Sequence, residues 1–211
     1  MLFKHFFWDF DGTLFNTYPR VTRAMMKSLR DSGIEADYDE VFKKNKVSLE
    51  VTAAFYAPQY GLDPSVLLDG YRRHAEEEDI GEMRLFDGAK EFLETVVQNG
   101  GDNFLYTHRG LSGIEALKVN GILPLFRDCV TSADGFPMKP APDALNYLCE
   151  KYSLNKKECV MLGDRTIDLG SGINAGIACA LLDPDGLCPS DVPTPYQAHS
   201  FAEMRALLQL G

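Results

Sequence analysis

Five short apolar runs punctuate the chain, and each is followed closely by a polar residue able to do chemistry. Residues 3–8 (FKHFFW) lead to Asp9, and residues 103–106 (NFLY) lead to Thr107. Residues 128–133 (DCVTSA) lead, through a short loop, to Lys139; residues 159–163 (CVMLG) lead to Asp164; and residues 177–182 (IACALL) end at Asp183. Runs of this length between turn residues predict buried strands. Segments 87–98, 111–120, 142–152, 166–175 and 201–208 have helical patterning, the first ending at Gly100-Gly101 as helices often do. Strands alternating with helices predict a parallel α/β sheet, and ligands of such sheets gather beyond the carboxyl ends of the strands. The polar residues named above all fall there.

One region breaks the alternation. Between Thr17 and Arg84 the pattern is helical only, over 17–32, 38–44, 49–57 and 64–78. It predicts an all-helical insertion after the first strand, with residues 1–14 and 85–211 forming the core and 15–84 the insertion. Within the insertion, EEED (residues 76–79) reads as a solvated helix face and Met25-Met26 as core.

Composition narrows the function classes. The 211 residues are 45% hydrophobic and 25% charged, ordinary globular values. A chain of this length buries roughly 70% of its unfolded surface. With 31 acidic against 21 basic residues, the net charge of −10 repels phosphate backbones and argues against nucleic-acid binding. An anionic substrate must then be held by local donors or by a metal. The five cysteines, Cys129, Cys149, Cys159, Cys179 and Cys188, contain no C-x-x-C pair and read as buried thiols of a reducing compartment. No secretory leader and no apolar stretch of ~20 residues is apparent, so a cytoplasmic protein without membrane contact is expected.

Asp9 and Asp11 lie two residues apart, so strand periodicity turns both carboxylates to one side. Their repulsion is tolerable beside a divalent cation, and an all-oxygen donor set suits Mg²⁺. Asp164 and Asp168, one helical turn apart, supply more carboxylate, although Asp164 could equally cap the following helix. Lys139 and Thr107 fit as counter-charge and hydrogen-bond donor for a transferring phosphoryl group, whose transfer depends on positioning and electrostatics. Taken singly, Thr107 reads as a strand threonine and Lys139 as a solvated loop lysine. Gly12-Thr13 lets the backbone approach an anion closely.

These four elements, DFDGTLFNT (residues 9–17), FLYT (104–107), KPAPD (139–143) and GDRTID (163–168), resemble in order and spacing the haloacid dehalogenase-like hydrolase superfamily. The helical insertion resembles the alpha-helical cap of its phosphoglycolate phosphatase and beta-phosphoglucomutase group. The resemblance implies a Rossmann-like doubly wound core and a Mg²⁺-dependent phosphatase acting on a small phosphate ester, as a monomer or homodimer. It implies Asp9 as the nucleophile, Asp11 as general acid and then base, and Thr107 and Lys139 as further catalytic groups. Mg²⁺ is implied on Asp9, the Asp11 carbonyl and Asp164, with Asp168 nearby orienting Lys139 or a metal-bound water. Gly12, Thr13, His108 and Arg109 are implied around the substrate.

Some positions depart from the family pattern. Asn16 stands where many relatives carry aspartate, and His108 where they carry asparagine, serine or another small residue. Arg109 either adds a cation beside the phosphoryl pocket or pairs with a surface carboxylate. A dehalogenase is disfavoured because Asp11 is present. A mutase is disfavoured because Leu49 stands where those enzymes grip a second phosphate with arginine, and Val21 about where they tend to have histidine. A receiver-like protein would be about half this length, and a pure binding module would not need both Asp9 and Asp11.

Overall fold

An aromatic strand, β1 (His5–Trp8), forms the centre of the core, with Phe6, Phe7 and Trp8 all fully buried. The computed structural model describes residues 1–76, 81, 83–188 and 194–210. The chain divides into two units, Met1–Asn16 with Met83–Gly211, and Thr17–Glu82.

The first unit contains β1, α5 (Ala89–Gln98), β2 (Asp102–Tyr106), α6 (Ser112–Val119), β3 (Phe126–Val130), α7 (Asp143–Lys151), β4 (Cys159–Gly163), α8 (Thr166–Ala175), β5 (Ala178–Leu182), β6 (Tyr196–Ala198) and α9 (Phe201–Leu207). The strands form one parallel sheet in the order β3-β2-β1-β4-β5-β6. From β1 the chain builds outward to β3, then returns to β4 on the other side of β1. The topological switch therefore lies between β1 and β4, where α/β sheets open a crevice for ligands.

Alternation along β1 serves both faces of the sheet. Phe6 and Trp8 meet Phe92 of α5, and Trp8 also meets Phe201 of α9, with ring centroids 5.1–6.0 Å apart. Phe7 stacks on Phe104 at 5.0 Å and packs with Met161, Leu145 and Leu148. A buried polar residue is fully used here: Trp8 Nε1–H donates to Asn103 Oδ1 at 2.9 Å, while Asn103 Nδ2 donates to the carbonyls of Leu93 (3.1 Å) and Leu125 (3.2 Å).

The second unit consists of α1 (Tyr18–Asp31), α2 (Tyr38–Val47), α3 (Leu49–Tyr56) and α4 (Pro64–Glu76) around a core that includes Met25, Leu29, Val41, Ala53 and Leu67. Asp37 caps α2 by accepting from Glu40 N–H at 2.9 Å, and Ser48 caps α3 by accepting from Val51 N–H at 3.1 Å. Gly70 permits close contact of α4 with α1, because a Cβ there would collide with Ser28, whose hydroxyl donates to the Leu67 carbonyl at 2.8 Å. Inside this unit Thr52 Oγ1 donates to Asn45 Oδ1 (2.7 Å) and Asn45 Nδ2 to Thr22 Oγ1 (3.3 Å).

The structure corrects several sequence expectations. The third strand covers Phe126–Val130 rather than 128–133, because Thr131 opens a short 3-10 turn, Ser132–Asp134, whose Asp134 carboxylate accepts from Thr131 N–H at 2.8 Å. β6 is only three residues long, too short to show a period. Asp183 is occupied with the turn after β5, its carboxylate accepting from Leu187 and Cys188 N–H. Helix α4 ends at Glu76, so most of the acidic run 76–79 lies outside the described residues. Cys149, Cys159 and Cys179 are buried, whereas Cys129 and Cys188 are half-buried. Among the described residues, no helix is long and apolar enough to cross a membrane.

Candidate active site

Beyond the end of β1 the chain stays locked to β4, with Asp9 N–H donating to Leu162 O at 2.9 Å. That bond holds Asp9 at the switch point beside Asp164, the residue following β4. Both carboxylates are buried, as is Asp168. Asp168 sits in the first turn of α8 and folds back so that Oδ2 accepts from Arg165 N–H at 3.0 Å. Gly163 makes that fold possible, because a Cβ there would collide with the Asp168 side chain.

Lys139 reaches this group from the loop after β3. Its Nζ lies 2.5 Å from Asp9 Oδ1 and 2.7 Å from Asp168 Oδ1, and 4.7 Å from the centroid of Tyr106. Its main-chain N–H donates to His108 Nε2 at 2.7 Å, which places the imidazole proton on Nδ1. Burial, reinforced by the charges of Lys139 and Arg165, pushes His108 down to about 4, so at neutral pH it is an uncharged acceptor. His108 thus holds the lysine loop and adds no cation.

Thr107 follows the last residue of β2, with its N–H donating to Val130 O (3.0 Å) and its hydroxyl oxygen accepting from Arg109 N–H (3.0 Å). Arg109 pairs with Asp11: Nη2 is 2.5 Å from Oδ1 and Nε 3.2 Å from Oδ2. The carboxylate it meets is the one next to the site, not a distant surface group. Gly12, at φ 78°, turns the chain after Asp11 in a conformation that suits glycine. Thr13 Oγ1 is buried with no hydrogen-bond partner among the described residues.

Asp9 is strongly perturbed electrostatically. Burial pushes its carboxyl up to about 6, against the opposing pull of Lys139. Burial would likewise lower Lys139, but Asp168 and Asp9 outweigh it and hold the ammonium above its usual value. The lysine is therefore charged throughout the physiological range. While Oδ1 of Asp9 is held by Lys139, Oδ2 is buried without a hydrogen-bond partner among the described residues. A buried carboxylate oxygen without a hydrogen-bond partner is costly unless something binds or reacts with it.

Asp9, Asp164 and Asp168 each offer a carboxylate oxygen within 4.8 Å of the others, and the Asp11 carboxylate is not one of the three. Hard oxygen donors alone, with one orphaned oxygen among them, fit Mg²⁺. Of the expected set, the carboxylates of Asp9 and Asp164 lie in this cluster together with Asp168, while Asp11 was expected to contribute only its main-chain carbonyl. Sequence reasoning gave no role to Arg165, whose Nε lies 4.0 Å from Asp164 Oδ1, or to the Tyr106 ring under Lys139. Their signal was positional: each is next in sequence to a residue already singled out.

Comparison with known proteins shows what the chain resembles as a whole. The family model described as haloacid dehalogenase-like hydrolase matches residues 6–182. A phosphoglycolate phosphatase of Vibrio vulnificus (strain YJ016) is 29% identical over 183 residues, covering 81% of this chain and 79% of that protein. A 6-phosphogluconate phosphatase of Escherichia coli (strain K12) is 27% identical over 186 residues, covering 81% and 78%. The crystal structure of a hydrolase from Streptococcus pneumoniae TIGR4 superposes with a TM-score of 0.70 at 30% identity, covering 99% of this chain and 100% of that one.

Proposed function

The chain belongs to the haloacid dehalogenase-like hydrolase family, and from that premise we propose that it is a Mg²⁺-dependent phosphatase of a small phosphomonoester, acting through phosphorylated Asp9. The observation that carries this reading is the asymmetry of Asp9, with one oxygen fixed by Lys139 and the other buried and bare. Such a carboxylate is oriented and desolvated, as a nucleophile should be.

In this reading Asp9 Oδ2 attacks phosphorus and the ester oxygen departs. Lys139 stays on Oδ1, holding the attacking group in one rotamer and countering the charge that accumulates nearby. Asp168 keeps Lys139 in place, and His108 fixes its main chain. Thr107 lines the phosphoryl pocket, while Gly12 and Thr13 bring main chain and hydroxyl close to the anion. Asp11 gives a proton to the leaving oxygen, then removes one from the water that attacks the acyl phosphate. Asp9 and Asp164 would hold Mg²⁺, with the carbonyl of Asp11, and the ion would neutralise charge on the transferring phosphoryl oxygens.

Leu49, which begins α3, carries no charge for a second phosphate and supports a hydrolase rather than a mutase. The phosphatase names of the two relatives support a small phosphorylated metabolite as substrate. Purified protein should release phosphate from members of a panel of small phosphomonoesters with Mg²⁺ and lose that activity in excess chelator. Absence of Mg²⁺-dependent release across the panel would contradict the reading.

A further inference from the structure

Arg165 is a second cation at the carboxylate cluster, and it is placed differently from Lys139. Its main chain is pinned by the first turn of α8: the N–H donates to Asp168 Oδ2 (3.0 Å), and the carbonyl accepts from the N–H groups of Asp168 (3.0 Å) and Leu169 (3.4 Å). Its Nε lies 4.0 Å from Asp164 Oδ1. That separation is too long for a hydrogen bond, so at this atom the two attract as charges. The Arg165 side chain is 23% exposed and that of Asp164 0%, so the guanidinium is the more solvated member facing a buried carboxylate.

The charge of Arg165 is felt beyond Asp164. After burial, Lys139 and Asp168, it is the next influence on Asp9, whose carboxyl it pulls down. After burial and Lys139, it is also the next influence on His108. One guanidinium thus acts on groups that follow β1, β2 and β4, around the crevice at the switch point.

Charge balance gives that position a consequence. At neutral pH Asp9, Asp164 and Asp168 bring three negative charges to the cluster, and Lys139 and Arg165 bring two positive ones. His108 is uncharged, and Asp11 and Arg109 offset each other. The cluster therefore carries one negative charge in excess with Arg165, and two without it. A divalent cation would leave it with one positive charge in the first case and none in the second. A phosphoryl anion is drawn to the first more strongly than to the second. Resting on the phosphatase reading above, we infer that Arg165 is a positioning residue that couples the two ligands of the site, weakening Mg²⁺ binding to the phosphate-free site and strengthening phosphoryl binding once Mg²⁺ is present. Each ligand then raises the affinity for the other by the same factor.

The test is calorimetric titration of wild type, Arg165→Gln and Arg165→Lys, with MgCl₂ alone and then with inorganic phosphate on the Mg²⁺-loaded protein. Arg165→Gln should bind Mg²⁺ ~3- to 10-fold more tightly without phosphate, a modest gain because the guanidinium is partly solvated. The same variant should bind inorganic phosphate ~10-fold more weakly with Mg²⁺. Opposite changes from one substitution separate this role from a merely structural one, since a loosened site weakens both ligands. Arg165→Lys keeps the charge and should hold both constants within ~3-fold of wild type. Weaker binding of both ligands in Arg165→Gln, no change in either, or Arg165→Lys behaving as Arg165→Gln would overturn the inference. The titrations need no turnover. Failure of wild type to release phosphate from p-nitrophenyl phosphate with Mg²⁺ would instead contradict the phosphatase reading, while the signs of the two binding changes still judge Arg165.

Discussion

Lys139 Nζ lies 2.5 Å from Asp9 Oδ1, and neither side chain is open to solvent. This contact joins the loop after β3 to the end of β1, residues 130 apart in sequence. Its energetic meaning lies in what each group would cost alone, since breaking a buried pair leaves an uncompensated charge.

Lys139→Ala removes the cation that orients Asp9 and opposes its burial. Turnover should fall ~10²–10³-fold, as for comparable electrostatic deletions. Because Lys139 lowers the Asp9 pKa, its loss should also move the acid limb of the pH–rate profile to higher pH. A loss smaller than about fivefold, with an unmoved limb, would remove Lys139 from the catalytic group.

Metal binding should depend on pH in the direction that Asp9 sets. Its folded pKa of about 6 lies above the ordinary value of 3.8, so between those values the metal-free folded state binds more protons than the unfolded chain. The protonated form's stabilising contribution is complete below the lower value and is lost as pH rises through the upper one. Mg²⁺ takes the proton's place. Its effect on Tm should thus be larger near pH 7.5 than near pH 5. Equal Mg²⁺ shifts at both pH values in thermal unfolding would contradict this.

Asn103→Ala tests the core on which the site is built. It strands the buried Trp8 N–H and removes the side-chain hydrogen bonds to the carbonyls of Leu93 and Leu125. Unsatisfied buried groups cost about 1–3 kcal/mol each, so a loss of about 2–4 kcal/mol after partial relaxation is expected. Urea unfolding with an unchanged m-value measures it. A change below about 0.5 kcal/mol would mean that these groups find other partners.

The strand ends were legible in the sequence because short apolar runs end where the polar residues begin, and the parallel sheet followed from their alternation with helices. Position singled out Asp9, Thr107, Lys139 and Asp164, while their expected roles came from the conjunction of four elements and the resemblance it carries. The partners of those residues were not legible. That His108 faces the Lys139 main chain depends on how the loop after β3 folds over the end of β2, a contact between residues 31 apart. Arg109 was read as either a pocket cation or a surface ion pair, and the structure gives it the Asp11 carboxylate. Asp168 was expected beside Lys139, but its proximity to Asp9 and Asp164 depends on Gly163, whose lack of a side chain had no separate meaning in the sequence.

The central claim is that Asp9 itself becomes phosphorylated, and Asp11→Asn examines it most directly. An aryl phosphate expels a stabilised phenolate and needs little help from an acid, whereas the second step still needs a base. The variant mixed rapidly with p-nitrophenyl phosphate and Mg²⁺ should release about one equivalent of phenolate in a burst and then stall. Acid-quenched protein should carry one phosphoryl group on the peptide containing Asp9, removable by hydroxylamine. Steady turnover without a burst, or a quenched protein with Asp9 unmodified, would contradict the covalent route.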